Sequence, residues 1–387
     1  MSWPMVKLKD CCEVVGGATP KRNVASYWDG DIPWITPKDV SNLSEPYIYE
    51  APEYISKAGY KAAATYMLPV GTVLLTSRAP IGNVAIAGIE LCTNQGFKSL
   101  IPGKNIYNKY LYHCIKKFVP QLELLGNGAT FKEVSKKVVE NFEIPLPPFE
   151  VQKRIADILD KADGIRQKRE KAIKLTDNFL RATFLEMFGD PVRNPKNWKL
   201  EKFGDIADCQ LGKMLSKKSK TGIFSKKYLR NANVRWRKID IHDLLEMDFN
   251  EKEMSKFELR RGDLLVCEGG EIGRCAIWNN QIKDCYYQKA LHRVRPNYSL
   301  VTSVYLQEYL YSMAKKNAFS EFISEVTFSH LTAEKLKNLL VPVPPLSLQK
   351  KFELIYNKFN SLLSDKYDNH DLSFALLSNT INENIFK

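Results

Sequence analysis

Two stretches of about forty residues place apolar side chains at alternating spacings of four and three. In the first, the seam runs Val151, Ile155, Ile158, Ala162, Ile165, Arg169, Ala172, Thr176, Phe179 and Thr183. In the second, 197 residues on, the same register gives Leu348, Phe352, Ile355, Phe359, Leu362, Lys366, Asn369, Ser373, Leu376 and Thr380. Such a seam is the a/d pattern of a coiled coil. Leu159, Ile173, Leu180 and Phe184, with Leu363, Phe374, Leu377 and Ile381, widen the apolar face beyond a two-helix seam. Each helix would be about 60 Å long if unbroken. Each follows a proline elbow, Pro145-Leu-Pro-Pro148 or Pro342-Val-Pro-Pro345, where proline forces an extended entry and is tolerated in the first turn. Gly189-Asp190-Pro191 stops the first helix. Matched length and register predict that the two helices pair, antiparallel.

Between the helical stretches the period changes. Ile32–Thr36, Gly71–Thr76 and Asn83–Ala87, and later Lys227–Arg230, Gly262–Cys267 and Arg274–Trp278, are short, rich in Val, Ile and aromatics, and read as strands. Helical patches are predicted at Asn108–Phe118 and Val304–Ala314. The two series are copies. Leu68–Ala87 recurs as Leu259–Trp278 with seven of twenty positions identical, including the pairs Gly71/Gly262 and Gly82/Gly273. A second block, Thr130-Phe131 through the elbow to Gln152-Lys153, recurs as Thr327-Phe328 through the elbow to Gln349-Lys350. An offset near 190 residues is far longer than a solenoid period and indicates a duplicated domain with its tail. The expected fold is mixed α/β (α+β): two similar globules, 1–147 and 190–344, joined by long antiparallel coiled-coil helices, 148–189 and 345–387, in a pseudo-two-fold repeat.

Charge sharpens the picture. The net charge is +13, of which residues 191–346 carry +9, from 27 basic and 18 acidic side chains. Basic globules suggest a polyanionic partner, nucleic acid first. From Lys213 to Lys238 ten basic residues run without one acid, interleaved with Phe224, Tyr228 and Trp236, while Asn231 and Asn233 supply amides. Lysine and arginine neutralise phosphates; arginine can read guanine, and asparagine or glutamine adenine. The matching region Thr19–Lys38 is much less basic, so the copies differ where a ligand would be touched.

Catalytic signatures are missing from the chain. It has no P-loop sequence, and Gly269-Gly270-Glu271-Ile272-Gly273 lacks the spacing of a dinucleotide fingerprint. No Asn/Asp-Pro-Pro-aromatic run occurs, and Asp263 with Glu268 lacks the lysine of a nuclease centre. Eight cysteines without a C-x-x-C pair read as packing thiols rather than metal ligands. No apolar run approaches the length of a membrane span, and the start lacks a signal-peptide core, so a cytoplasmic location without membrane contact is expected.

The chain resembles the specificity subunit of type I restriction–modification enzymes. The resemblance rests on Gly30-Asp-Ile-Pro-Trp-Ile35, Gly71-Thr-Val-Leu-Leu-Thr-Ser-Arg78, Ile81-Gly-Asn-Val-Ala-Ile86, Thr93-Asn-Gln-Gly-Phe-Lys98 and the doubled Pro-x-Pro-Pro-x-x-x-Gln elbows. The second half departs from it, with Tyr287-Gln288-Lys289-Ala290 in place of Thr-Asn-Gln-Gly. The resemblance implies a non-catalytic DNA reader with no cofactor or metal of its own. Each target-recognition domain would bind one half of a split site in double-stranded DNA, and the paired helices would set the spacing. Two modification subunits using S-adenosylmethionine, and restriction subunits using ATP and Mg, would be its partners. Charge and alignment nominate Lys21, Arg22, Lys38, Arg78, Asn94, Gln95 and Lys98 in the first copy for DNA contact. In the second they nominate Lys213, Lys217, Lys218, Arg230, Asn231, Arg235, Arg237, Arg274, Gln288 and Lys289. The competing readings are a stand-alone DNA methyltransferase or nuclease, and a coiled-coil scaffold that binds no DNA.

Overall fold

The structure, a computed structural model, describes residues 3–41, 43, 45–128, 132–216, 222–319 and 330–361. The repeated pairs Thr130-Phe131 and Thr327-Phe328 lie outside the described residues, as does the second seam from Leu362 onward. Two compact units divide the chain between Arg169 and Glu170.

The first unit is built on a five-stranded sheet in the order Cys12–Gly16, Lys98–Pro102, Val73–Ser77, Ile81–Ala87, Tyr47–Ile48. Its pairs are antiparallel except the last, which is parallel. A smaller sheet orders Glu53–Ile55, Trp28–Ile35 and Cys92–Thr93, the last pair again parallel. The second unit repeats this plan. Its larger sheet is Ala207–Leu211, Leu291–Pro296, Leu264–Cys267, Cys275–Ile277, and its smaller one Leu245–Asp248, Ser225–Leu229, Cys285–Tyr287, with the last pair parallel. In each unit a two-stranded ribbon closes the base: Met5–Lys7 with Glu143–Pro145, and Lys199–Lys202 with Leu340–Val343. Mixed α/β architecture, twice over, is what the alternating periods predicted.

Central strands explain the layering. Successive strand residues point to opposite faces. Val73 and Leu75 enter a core shared with the helix Asn108–Leu124, while Leu74 enters another with Ile35 and Phe97. In the second unit Leu264 and Val266 face the helix Ser303–Lys315, and Leu265 and Cys267 face the core beneath Tyr287 and Trp278. A strand buried on both faces reads as a continuous apolar run, which is why Val73-Leu-Leu and Leu264-Leu-Val carry no alternation. The repeated glycines are where the chain needs positive φ: +89° and +94° at Gly71 and Gly262, +98° and +75° at Gly82 and Gly273. A Cβ at Gly82 would lie 2.3 Å from Val119, and one at Gly273 2.6 Å from Phe319, so both glycines also admit a close neighbour.

The first long helix spans Phe149–Phe188 without a break. Its opening turns belong to the first unit, where Ile155 and Ala156 are buried and Val151 and Leu159 pack beside them. Its closing turns belong to the second, where Leu180, Phe184 and Phe188 join Tyr305, Phe352 and Tyr356 in one core. Ring centroids lie 5.6 Å apart for Phe184–Phe352 and 4.6 Å for Phe179–Phe359, so the described part of the second helix, 346–361, runs against it in the opposite sense. The buried stripe here differs from the predicted seam. Phe179 is 45% exposed, and Leu180, Phe184 and Phe188 are inside, because a globule, and not a lone helix, covers this end.

Both helices begin with the same polar joint. Gln152 is fully buried; its Oε1 accepts from the Tyr107 N–H (2.8 Å), and its Nε2 donates to the carbonyls of Asn105 (2.9 Å) and Pro147 (2.8 Å). Gln349, also fully buried, accepts from Thr302 N–H (2.9 Å) and donates to Leu300 (2.9 Å) and Pro344 (2.8 Å). The Tyr110 hydroxyl donates to the Pro145 carbonyl (2.7 Å) and the Tyr305 hydroxyl to that of Pro342. Pro145 and Pro342 lie in the closing ribbons, and at the elbows that follow, the glutamine amides satisfy the Pro147 and Pro344 carbonyls. Removing a buried partner leaves such groups unpaired. Gln152→Ala and Gln349→Ala should therefore each cost about 2–4 kcal/mol. The loss should appear as faster hydrogen exchange confined to the first unit for Gln152→Ala and to the second for Gln349→Ala. Equal loss in both units from either substitution would contradict this assignment.

Candidate nucleic-acid interface

In each unit the segment leaving the larger sheet's first strand meets the segment leaving the short parallel strand. Ala18 N–H donates to Thr93 O (2.9 Å), and Lys213 N–H to Tyr287 O (3.1 Å). Close contact is enforced by Gly17 and Gly212, where an added Cβ would fall 2.2 Å from the Asn94 carbonyl and 2.3 Å from that of Gln288. The alignment of Thr93-Asn94-Gln95 with Tyr287-Gln288-Lys289 is thus a spatial one. The Lys289 N–H bonds Lys213 O (2.8 Å), which brings Lys213, Gln288 and Lys289 together.

In the first unit Lys21 and Lys38 are exposed, and neither makes an ion pair among the described residues. Arg22 is half exposed, paired with Glu53 at 2.8 Å, and lies over the Trp28 ring at 3.9 Å. Asn94 is turned inward: its Oδ1 accepts from Gly96 N–H (2.8 Å), the turn-capping role. The Gln95 side-chain Oε1 accepts from the Thr19 hydroxyl. Lys98 is mostly covered and donates to Ser77 Oγ (3.2 Å) and Glu133 (3.1 Å); Arg78 lies 3.8 Å from the same carboxylate.

The second unit sorts its cations more sharply. Arg235 is 70% exposed with a loose partner, Asp240 at 3.4 Å, and Lys289 is exposed. Arg230 pairs with Asp243. Asn231 donates to Gly269 O (2.9 Å) and accepts from Arg274 (2.6 Å), so both point inward. Lys213 is buried to 12% exposure and bound to Glu253 at 2.6 Å. Arg237 corrects the sequence reading most clearly: its guanidinium is 13% exposed and clamped between Glu308 and Asp177. Lys217 and Lys218 lie outside the described residues.

A physical criterion separates the two groups. Exposed ion pairs are worth about 0–1 kcal/mol, so a phosphate can displace Glu53 from Arg22 or Asp240 from Arg235. A buried, hydrogen-bonded pair costs about 3–5 kcal/mol to break, so Arg237 on Glu308 holds the scaffold; Lys213 and Lys98 are themselves covered and turned toward partly exposed carboxylates. Asp240 and Asp243, just past the end of the basic run, pair with Arg235 and Arg230, while Glu253, Asp177 and Glu308, which hold Lys213 and Arg237, are distant in sequence, so the run by itself reads as unopposed. Lys227 and Lys238, members of that run outside the residues nominated for contact, are exposed. Both were legible as part of the run.

All eight cysteines are buried, and burial pushes the Cys209 and Cys285 thiols up to about 12, away from thiolate chemistry. Among the described residues no cluster of His, Cys, Asp or Glu could hold a metal, and no helix is long and apolar enough to cross a membrane.

Residues 2–175 and 195–364 match the family described as Type I restriction modification DNA specificity domain. The MjaIX type I restriction enzyme specificity subunit of Methanocaldococcus jannaschii is 37% identical over 227 residues, 54% of this chain and 52% of that protein. The EcoR124I/EcoR124II specificity subunit of Escherichia coli is 30% identical over 157 residues, 39% of this chain and 38% of that protein. The match thus spans about half, or less, of these relatives' length. The crystal structure of a type I restriction–modification S subunit from M. genitalium superposes with a TM-score of 0.63, covering 100% of this chain and 96% of that one at 15% identity, a likeness of fold.

Arg235→Ala and Lys289→Ala should leave urea stability within about 0.5 kcal/mol of wild type and each reduce the salt dependence of DNA binding by roughly one phosphate contact. Arg237→Ala should instead lose about 3–5 kcal/mol of stability. A stable Arg237→Ala protein would contradict the division into surface and scaffold cations.

Proposed function

The chain belongs to the type I restriction modification DNA specificity domain family, and on that premise we propose that it is the DNA-reading specificity subunit of a type I restriction–modification complex. One observation carries this reading: two units of one plan, each matching the family, whose scaffold residues agree while their exposed cations differ. Unequal readers on one chain suit a site with two unequal halves. The assigned layout is 1–147 and 190–344 as recognition domains, with 148–189 and 345–387 as spacer helices. The contacts of Phe179 with Phe359 and Phe184 with Phe352 support an antiparallel pair; the rest of the second spacer, 362–387, lies outside the described residues.

Chemistry is assigned to partners. Modification subunits would dock on the helices and supply S-adenosylmethionine-dependent adenine methylation; restriction subunits would supply the ATP- and Mg-dependent steps. This chain contributes position. A spacer one base pair too long displaces a reader by roughly 3.4 Å and a tenth of a turn, enough to lose base contacts. Tethering two modest readers raises overall affinity through effective concentration.

Fluorescence anisotropy with duplex DNA and calorimetry with S-adenosylmethionine test this assignment on the isolated chain. Affinity for duplex should fall steeply and log-linearly with salt as counterions are released, and S-adenosylmethionine should give no binding heat. Salt-independent binding, or none, would favour the scaffold reading. Saturable binding of S-adenosylmethionine would favour a self-contained methyltransferase.

A further inference from the structure

The residue that most resists the DNA-contact reading, Arg237, sits where three elements of the second unit meet. It lies at the tip of a hairpin, Val234–Arg235 paired with Lys238–Ile239, at φ +62°. That is the turn position glycine favours, and holding arginine there is strained. From it the guanidinium reaches Glu308 of the helix Ser303–Lys315, with Nε 2.6 Å from Oε1, and Asp177 of the central helix. It also covers the Tyr311 ring at 4.3 Å, and the Tyr311 hydroxyl donates to Asp177 at 2.9 Å. Trp236, its neighbour at the tip, packs edge-on against Tyr311 at 5.0 Å. The flanking Arg235 and Lys238 face solvent. One side of the hairpin is therefore anchored to a spacer helix while the other presents cations.

Glu308 is 1% exposed and Arg237 13%. Buried charges of this kind are seldom more stabilising than apolar residues of the same size; in some proteins what they add is a single permitted arrangement. The first unit places His113 where the second has Glu308, 195 positions on. His113 bonds Asp160 at 2.7 Å, and Lys109 bonds the same carboxylate at 2.7 Å, joining helix to helix. Among the described residues no hairpin of the first unit reaches the long helix in this way.

We infer that Arg237 is a positioning residue that, by tying the 234–239 hairpin to Asp177, fixes the rotational setting of the second basic surface about the central helix. It thereby narrows the spacing between half-sites that the chain accepts. This inference rests on the DNA-reading function proposed above, and its test must separate the two.

The full-length chain, purified with whatever subunits accompany it, is used to select duplexes from a pool with two randomised blocks separated by spacers of varied length. Asp177→Asn keeps an acceptor for Tyr311 and leaves Arg237 paired with Glu308, so the fold is retained; Arg237→Lys cannot span both carboxylates. Wild type should recover two half-site sequences at one spacer length. Both variants should recover the same two sequences, with discrimination against neighbouring spacers reduced about tenfold, equivalent to about 1.4 kcal/mol of lost positional preference. A merely structural role would lower recovery at every spacer alike and leave the preference sharp, which overturns the inference. Loss of the second half-site sequence overturns it too, by making Arg237 a reader. Failure of wild type to select any two-part sequence removes the DNA-reading function and the inference with it.

Discussion

A helix can hold a recognition surface at a fixed setting only if its first turn cannot rotate against the globule that carries the surface. Gln152 and Gln349 impose that constraint. Each is a fully buried amide with three hydrogen bonds to backbone groups of the loop entering the unit's helix and of the proline elbow. An amide in that position has one orientation in which nothing is left unpaired. The apolar cores around Ile155 and around Phe352 supply the stability; the glutamines make the joint directional.

Electrostatics divides along the same line. The chain carries a large positive excess, yet much of the basic sequence in the second unit is spent internally: Lys213 on Glu253, Arg274 on Asn231, Arg237 on Glu308 and Asp177. Of the described cations of the Lys213–Lys238 run, Lys227, Arg235 and Lys238 remain toward solvent, as do Lys289 beside them and Lys21 and Lys38 in the first unit. Exposed cations suit reversible binding to a polyanion, because their contribution is screened by salt and leaves the scaffold untouched.

The architecture was largely legible because repetition is insensitive to tertiary detail. The glycine pairs Gly71/Gly262 and Gly82/Gly273 recur since both copies need the same backbone turns, and the elbow with its glutamine recurs since both need the same joint. The interface was legible only in outline. Whether Arg235 or Arg237 faces solvent depends on a turn and on carboxylates 60 and 71 residues away, which no local pattern encodes. Asn94 and Asn231, amides suited to reading bases, are held by a backbone N–H and by Arg274, contacts that require the fold to be known. The seam misled in one respect: Leu180, Phe184 and Phe188 outrank Phe179 because a globule covers that end of the helix.

In the proposed function, two unlike readers on one chain choose one split DNA site for an attached modification activity. Single-molecule sequencing of methylated adenine in cells that express this chain with its modification subunits, beside cells lacking the chain alone, measures it directly. The expected result is a methylated motif of two specified blocks separated by an unspecified gap of one fixed length, absent without the chain. An uninterrupted methylated motif, or a methylation pattern unchanged by its loss, would contradict it.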